Sequence, residues 1–392
     1  MSTPTVFSQI IKAIPRTEYE SWVNRYEGDR GVRSLDCWTW FGALLFGQLT
    51  GHDSIRAIER VFAHGDKQMK KLGFGPVRRS MLADANRTRP IEILESAYQY
   101  VLGRAQKYGP KKTGLGLAGN VFAMDSTTIE LCLSLCPWAR CRNDSSRGAA
   151  KLHTAIDIAG QLPQFAVITE GRVHDSRVAI RRDVWQQQFK KGDTIVFDRA
   201  YIDFGWMSDL DEAGIWFVTR AKRNIRFKVA KSYPTDRTQG HICDQKIYFT
   251  GLCGTRRYDG GALRRISYRD PGTGKRLVFL TNRFDVSTQT ICDLYKARWK
   301  VELFFRTMKS HLRIRKFLGM SYHAVKAQIL VALIAYLLVQ IFRFTNNTKI
   351  SIPDAMAVIS VLLLLKQPLS ELFADLPRVI RHHPSDQLVL NL

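Results

Sequence analysis

Acidic side chains are what this 392-residue chain is short of: 35 Asp and Glu stand against 59 Lys and Arg, a formal net charge of +24. With a pI near 9.9, that deficit argues against an ordinary metabolic enzyme. It favours a polyanionic partner, nucleic acid first and an anionic membrane surface second. Paired cysteines are lacking too. Seven is an odd number in so long a chain, which fits a reducing compartment better than a disulfide framework. Cys132, Cys136 and Cys141 cluster, with His153 further on, but the spacing matches no structural zinc pattern. A membrane-spanning run is also missing. Residues 327–342 are sixteen uncharged residues between Lys326 and Arg343, whereas a spanning helix needs about 20; a buried core helix is expected. Another apolar run covers residues 362–365. The N-terminus has no charged segment followed by an apolar one, so no secretory signal is expected. These absences lead to the expectation of a soluble cytoplasmic protein with no membrane partner.

What is present is positive charge in blocks. Residues 220–283 hold sixteen Lys or Arg against four Asp, and residues 296–316 hold eight against the single acid Glu302. These two segments carry +19 of the +24. Localised charge is better evidence for a binding surface than the total is.

Hydrophobic patterning divides the chain. Residues 1–90 read as helical: an apolar helix over 38–49, a turn at Thr50-Gly51-His52-Asp53, and a second helix over 54–62 with Asp53 or Ser54 as its cap. Residues 107–119, rich in Gly and Lys, read as a linker. Strand-like runs follow at 121–125, 151–158 and 164–169, then a helix over 176–189, a buried strand over 194–197, a short helix over 204–212 and a strand over 215–219. Three strands, helix, strand, helix, strand is the order of a ribonuclease-H-like α/β core. Short β-rich runs at 246–250, 263–268 and 276–280 then make a basic β-rich insertion before a final helix over 295–315. The predicted organisation is a helical N-terminal domain over 1–90, a catalytic core over 91–219 and 284–345, the insertion over 220–283, and a helical C-terminal region over 346–392.

Three acids mark the chemistry. Asp125 and Asp198 close the first and fourth strands, and Glu302 lies on the last helix. Only the fold can bring together residues so far apart in sequence, and three converging carboxylates need a cation. Mg2+ or Mn2+ suits oxygen donors, and two ions can activate a water or a 3′-hydroxyl and steady the leaving oxygen. A single Asp at a strand end is ordinarily a turn cap; it is the set of three that carries weight. On the last helix Tyr295, Arg298, Glu302 and Lys309 recur at spacings of three, four and seven, within roughly 60° of arc, and Arg306 and Arg313 share that face. The blander reading is a solvated helix with an incidental Arg298–Glu302 pair.

The blocks Val121-Phe-Ala-Met-Asp125-Ser-Thr-Thr and Val196-Phe-Asp198-Arg-Ala-Tyr201, with Tyr295-x2-Arg298-x3-Glu302-x6-Lys309, resemble the bacterial insertion-sequence transposases of the DDE type. The match is to the subgroup marked by that Tyr/Arg/Glu/Lys helix, over almost the whole chain. The resemblance implies that Asp125, Asp198 and Glu302 form the metal-binding catalytic triad, with Mg2+ or Mn2+, two ions to a site. It implies that Tyr295, Arg298 and Lys309 grip phosphates near the transposon end; Arg306, Arg313, Lys151, His153, Arg220 and Lys222 are further DNA-contact candidates. A base flipped from the stack needs an aromatic receptor, for which Trp206 and Trp216 are candidates, although both are also ordinary core residues. The implied activity is cleavage and strand transfer at inverted-repeat ends, cut-and-paste through hairpin ends, by a homodimer on paired double-stranded ends that joins them to target DNA. Residues 1–90 are expected to read the repeat, with the C-terminal helices as a competitor or a dimer surface. Alternatives are an inactive or domesticated end-binding protein and a general divalent-metal nuclease. Adjacent His174 and Asp175 point to opposite faces of an extended chain, so a His–Asp base dyad is not expected there.

Overall fold

The computed structural model describes residues 3–111, 113–140, 148–250, 258–312, 314 and 317–372. Arg313, Cys141 and the last twenty residues of the expected C-terminal region lie outside the described residues.

Seven helices open the chain: α1 (Val6–Ile11), α2 (Arg16–Arg25), α3 (Cys37–Thr50), α4 (Ile55–His64), α5 (Asp66–Lys71), α6 (Arg79–Thr88) and α7 (Glu92–Tyr108). The turn expected at residues 50–53 is present for identifiable reasons. Asp36 caps α3, its carboxylate accepting the Thr39 N–H at 2.7 Å. Gly51 ends that helix at φ 69°, a left-handed conformation that costs glycine little. Ser54 caps α4 through the Ala57 N–H at 3.2 Å. Nearly all of α3 is buried, because it forms the middle of a helical core rather than a surface element.

The second part is a ten-stranded mixed sheet. Its strands are β1 (Val121–Leu131), β2 (Gly148–Asp157), β3 (Leu162–Pro163), β4 (Val167–Glu170), β5 (Thr194–Phe197), β6 (Trp216–Arg220), β7 (Phe227–Tyr233), β8 (His241–Phe249), β9 (Leu263–Arg269) and β10 (Arg276–Thr281). Helices α8 (Asp175–Ala179), α9 (Arg182–Trp185) and α10 (Phe204–Glu212) lie between strands; α11 (Thr288–Ala297), α12 (Trp299–Ser310), α13 (Tyr322–Thr345), α14 (Ile352–Leu362) and α15 (Leu369–Leu372) follow. The order is β3-β2-β1-β5-β6-β10-β9-β8-β7, with β4 also paired to β2. β1 runs antiparallel to β2 and parallel to β5. The basic insertion is continuous with this sheet, because β10 pairs with β6 and puts Leu280 opposite Thr219.

Period-two alternation sorts the side chains into two layers. Val121 and Ala123 of β1 and Val196 of β5 join the core that contains α11, α12 and α13. Phe122 and Met124, with Ile195 and Phe197, pack on the opposite face with α9 and α10. The apolar run at 327–342 lies inside the 24-residue α13. That helix is long and apolar enough to cross a bilayer, but most of it is buried within the protein.

Several expected boundaries shift. β1 continues six residues beyond Asp125, so that acid lies within the strand rather than at its end. Of the strand expected over 164–169 only the part from Val167 is realised, as β4, with β3 ending before it at Pro163, and the helix over 176–189 divides into α8 and α9, because Arg181 turns extended at ψ 105°. β7 gave no sequence signal because its interior residues are exposed and show no apolar alternation. The helix over 295–315 breaks at Arg298, where Arg298 N–H bonds Tyr295 O at 3.2 Å and Val301 N–H bonds Arg298 O at 3.0 Å. These i to i+3 bonds tighten one turn between α11 and α12, so a single uninterrupted face does not exist.

The insertion is fastened to α11 by a buried ion pair. Arg264 Nη2 meets Asp244 Oδ2 at 2.5 Å, and the Thr288 hydroxyl donates to the same oxygen at 2.8 Å. Asp244→Ala would leave the Arg264 guanidinium buried and uncompensated. Chemical denaturation should then show a loss of about 3–5 kcal/mol, whereas a change below about 0.5 kcal/mol would mean the pair does not hold this joint.

Candidate active site

Alternation and register bring two of the acids together before any side-chain contact is considered. Met124 pairs with Phe197 across parallel β1 and β5, so the next residues in that register are Asp125 and Asp198. Both fall on the face covered by α12, as Ala123 and Val196 do. Adjacent strands lie about 4.8 Å apart. α12 packs across β1 and β2 and lowers Glu302 onto the same spot.

Arg298 occupies the centre. Its Nη1 donates to Asp125 Oδ2 at 2.7 Å and its Nη2 to Glu302 Oε1 at 2.6 Å. Its Nε is buried without a partner. Asp125 also accepts its neighbour's Ser126 N–H at 2.8 Å. Burial raises the Asp125 carboxyl to about 6; Arg298 and the Ser126 N–H oppose that rise, and the charges of Asp198 and Glu302 add to it. The last two effects place all three carboxylates within electrostatic reach of one another. Asp198 is meanwhile the cap of a one-turn 3-10 helix, its Oδ1 accepting the Ala200 N–H at 3.1 Å. Asp125 and Glu302 line an open cleft of about 520 Å3, together with Arg306 and Lys309.

Carboxylate oxygens are the donors a hard divalent cation takes, and two of them already converge on a positive group. As they are placed, however, no three His, Cys, Asp or Glu side chains among the described residues are gathered closely enough to hold one ion. A cation shared by all three acids therefore requires Arg298 to give up its central place.

The remaining expected contacts divide. Arg306 is exposed at the cleft. Arg220 ends β6 near Tyr295, and Lys222 Nζ donates to Ile202 O at 3.3 Å, beside the Asp198 turn. Tyr295 is turned inward, its ring 4.9 Å from that of Phe279. Lys151 and His153 lie on the face of the sheet opposite Asp125. The Lys151 Nζ is held by Asp175 Oδ1 at 3.2 Å and Val173 O at 3.0 Å, and His153 is fully buried on the opposite face of the sheet. Neither tryptophan suits base stacking. Trp206 is 1% exposed and packs 4.8 Å from Phe197. Trp216 begins β6 opposite Thr194, about 13 Å along the strand from the carboxylates, under the Arg283 guanidinium. His174 and Asp175 do point apart: His174 Nδ1 accepts the Ser176 N–H at 3.3 Å, while Asp175 reaches Ser126 Oγ at 3.0 Å. No sequence signal had singled out Ser126 or Asp175 for this contact, since their proximity depends on the β1–β2 register. The thiols form no metal centre among the described residues: Cys132 is exposed and Cys136 buried.

Acids on adjacent parallel strands, with Glu302 on a helix packed across them and basic side chains beside them, have the composition of a phosphoryl-transfer site acting on a polyanion. Residues 117–338 match the family described as the transposase DDE domain, and residues 2–75 match a domain of unknown function. A transposase-named protein of Sinorhizobium fredii is 32% identical over 274 residues, covering 69% of this chain and 73% of the relative. A protein of Geobacillus stearothermophilus, named as a transposase for an insertion sequence element, is 28% identical and covers 71% of each chain. A piggyBac transposase synaptic complex with hairpin DNA aligns over 92% of this chain at 12% identity, with a TM-score of 0.44, too low to carry a fold assignment. The chain belongs to the DDE-domain transposases and is a DNA transposase of the insertion-sequence kind. That family generally uses divalent metals.

Removing the central cation has a consequence for stability. In Arg298→Met, Asp125 and Glu302 face each other without a counter-charge. At pH 8 in EDTA the variant should lose about 1–3 kcal/mol, a partly exposed version of a broken buried pair. The loss should shrink towards pH 5, where Asp125 takes up a proton. An equal loss at both pH values would mean the contact is packing rather than charge.

Proposed function

We propose that Asp125, Asp198 and Glu302 are the catalytic, metal-binding residues of this transposase, cleaving at the inverted-repeat ends of an insertion sequence and joining them to target DNA. The observation that carries the reading is the convergence of Asp125 and Glu302 on one cationic group, with Asp198 next in the β1–β5 register on the same face. The core that holds them is ribonuclease-H-like, with five strands in the order β3-β2-β1-β5-β6 and the basic insertion extending the sheet beyond β6. The Tyr295, Arg298, Glu302 and Lys309 spacing supports assignment to the Tyr/Arg/Glu/Lys subgroup.

The metals are Mg2+ or Mn2+, two to a site; when bound they make water or a 3′-hydroxyl nucleophilic and neutralise the leaving oxygen. The chain's own residues do the rest. Arg298 keeps Asp125 and Glu302 apart and charged until the acids are needed. Arg306, Lys309, Arg220 and Lys222 draw the phosphate backbone towards the cleft, and Tyr295 stiffens the joint by packing on Phe279. The exposed strand β7 carries Lys228 and Lys231, and Tyr248 stands beside it on β8, 44% exposed. Such a basic ribbon suits duplex backbone. Residues 1–90 read the end, a homodimer brings two ends together with the C-terminal helices as its contact, and cleavage runs through hairpin ends. The protein works where its DNA lies, in the cytoplasm.

Glu302→Gln keeps the shape and removes the charge. It should abolish strand cleavage in a gel assay while end binding stays within about twofold; cutting at an unchanged rate would remove Glu302 from the catalytic set. Protons also compete with the metal, because only the ionised carboxylate ligates. With Asp125 at about 6, Mn2+ affinity should fall about tenfold from pH 7 to pH 5. A flat profile in calorimetry would mean Asp125 does not bind the ion.

A further inference from the structure

On the face of the sheet behind the acids lies a largely buried polar cluster, whose Ser126 also lines the cleft. Ser126 directly follows Asp125 in β1 and therefore points to the other face. Its hydroxyl donates to Asp175 Oδ1 at 3.0 Å. The same oxygen takes the Lys151 ammonium at 3.2 Å and lies 3.7 Å from His153 Nδ1. His153 Nδ1 is also 3.4 Å from the Tyr201 hydroxyl, and its Nε2 is 3.1 Å from Thr169 Oγ1. Burial pushes His153 down to about 4, against the pull of Asp175, so the ring is a neutral connector here. Tyr201 is wholly buried and lies three residues beyond Asp198, in the one-turn helix that Asp198 caps.

The cluster thus joins the residue after one acid to the turn that begins with the other. Between the strands themselves, ladder pairing of β1 with β5 ends at Met124 and Phe197, one residue short of both acids. Nothing in the β1–β5 ladder fixes the Asp125–Asp198 separation beyond that point, whereas Ser126, hydrogen-bonded to Asp175, and Tyr201, 3.4 Å from His153 Nδ1, meet across it where Asp175 Oδ1 packs 3.7 Å from the imidazole. α8, which supplies Asp175, packs against the Asp198–Tyr201 turn. The Lys151 charge offsets that of Asp175, so the carboxylate can sit behind Asp125 without adding to the repulsion within the cleft.

We infer that Asp175 is a positioning residue for the metal site: from the back of the sheet, through Ser126 and the His153–Tyr201 pair, it sets the spacing of Asp125 and Asp198. The inference rests on the reading of those two acids as metal ligands. Groups that orient ligands in this way change metal affinity or activity by about 10–100-fold when removed.

The test uses full-length protein and two readouts, Mn2+ binding followed by the electron paramagnetic resonance of the free ion, and binding of an end duplex by gel shift. Asp175→Ala is expected to bind Mn2+ at least tenfold more weakly while duplex affinity stays within about twofold. Ser126→Ala should show the same split, and Ser126→Thr, which restores a hydroxyl, should recover Mn2+ affinity to within about threefold. Those last two variants carry the test should Asp175→Ala fail to melt cooperatively. Wild-type Mn2+ affinity in Asp175→Ala or Ser126→Ala, or no recovery in Ser126→Thr, overturns the inference. Asp125→Asn is run in parallel: if it binds Mn2+ as the wild type does, the assignment of the ligands themselves is what fails.

Discussion

Like charges that must share a small space are the constraint on which this structure is organised. Asp125, Asp198 and Glu302 are brought to one face of a sheet by strand register and by a packed helix, in surroundings where burial already opposes ionisation. Such a group is stable only with a positive partner. In this structure the partner is Arg298, held by both Asp125 and Glu302. An arginine in that place performs electrostatically what a divalent ion is proposed to do in the working enzyme. Its pKa, pulled down by burial, is raised overall by Tyr295, Asp125 and Glu302, so it does not give up its proton to escape. Exchange of one cation for another is therefore a movement of a side chain rather than a titration of it.

That view also accounts for the break between α11 and α12. A continuous helix would carry Arg298 on the same rigid face as Glu302. The tightened turn at Arg298 lets its guanidinium lean across to β1 while α12 delivers Glu302 from above. The insertion bears on the same joint: its buried Arg264–Asp244 pair grips Thr288 at the start of α11, and Lys296 lies over the Tyr268 ring of β9. A basic surface suited to DNA is thereby mechanically attached to the helix pair that shapes the carboxylate site.

Much of this was legible in the chain itself. The run 204–212 and the Ser54 cap followed from local rules, and the charge blocks pointed to nucleic acid. The three acids were singled out because they stand in strand and helix contexts that only a common fold could join. What the sequence could not supply was anything dependent on register or side-chain competition. Lys151 looked like a free cation, but Asp175 claims it; His153 stood between a DNA contact and a core position, and pairing with Ser126 puts it on a buried face. Trp206 and Trp216 were chosen as aromatic receptors by residue type, and packing against Phe197 and below Arg283 gives them other work. β7 escaped notice because a strand with no buried face leaves no hydrophobic period to read.

The central claim is that the acids now joined by Arg298 are the seat of the divalent ions. Anomalous scattering from crystals of the protein with an end duplex and Mn2+ tests it most directly. The account predicts manganese peaks ligated by Asp125, Asp198 and Glu302, with the Arg298 guanidinium withdrawn from between them. Manganese bound elsewhere, with Arg298 still bridging Asp125 and Glu302, would contradict it.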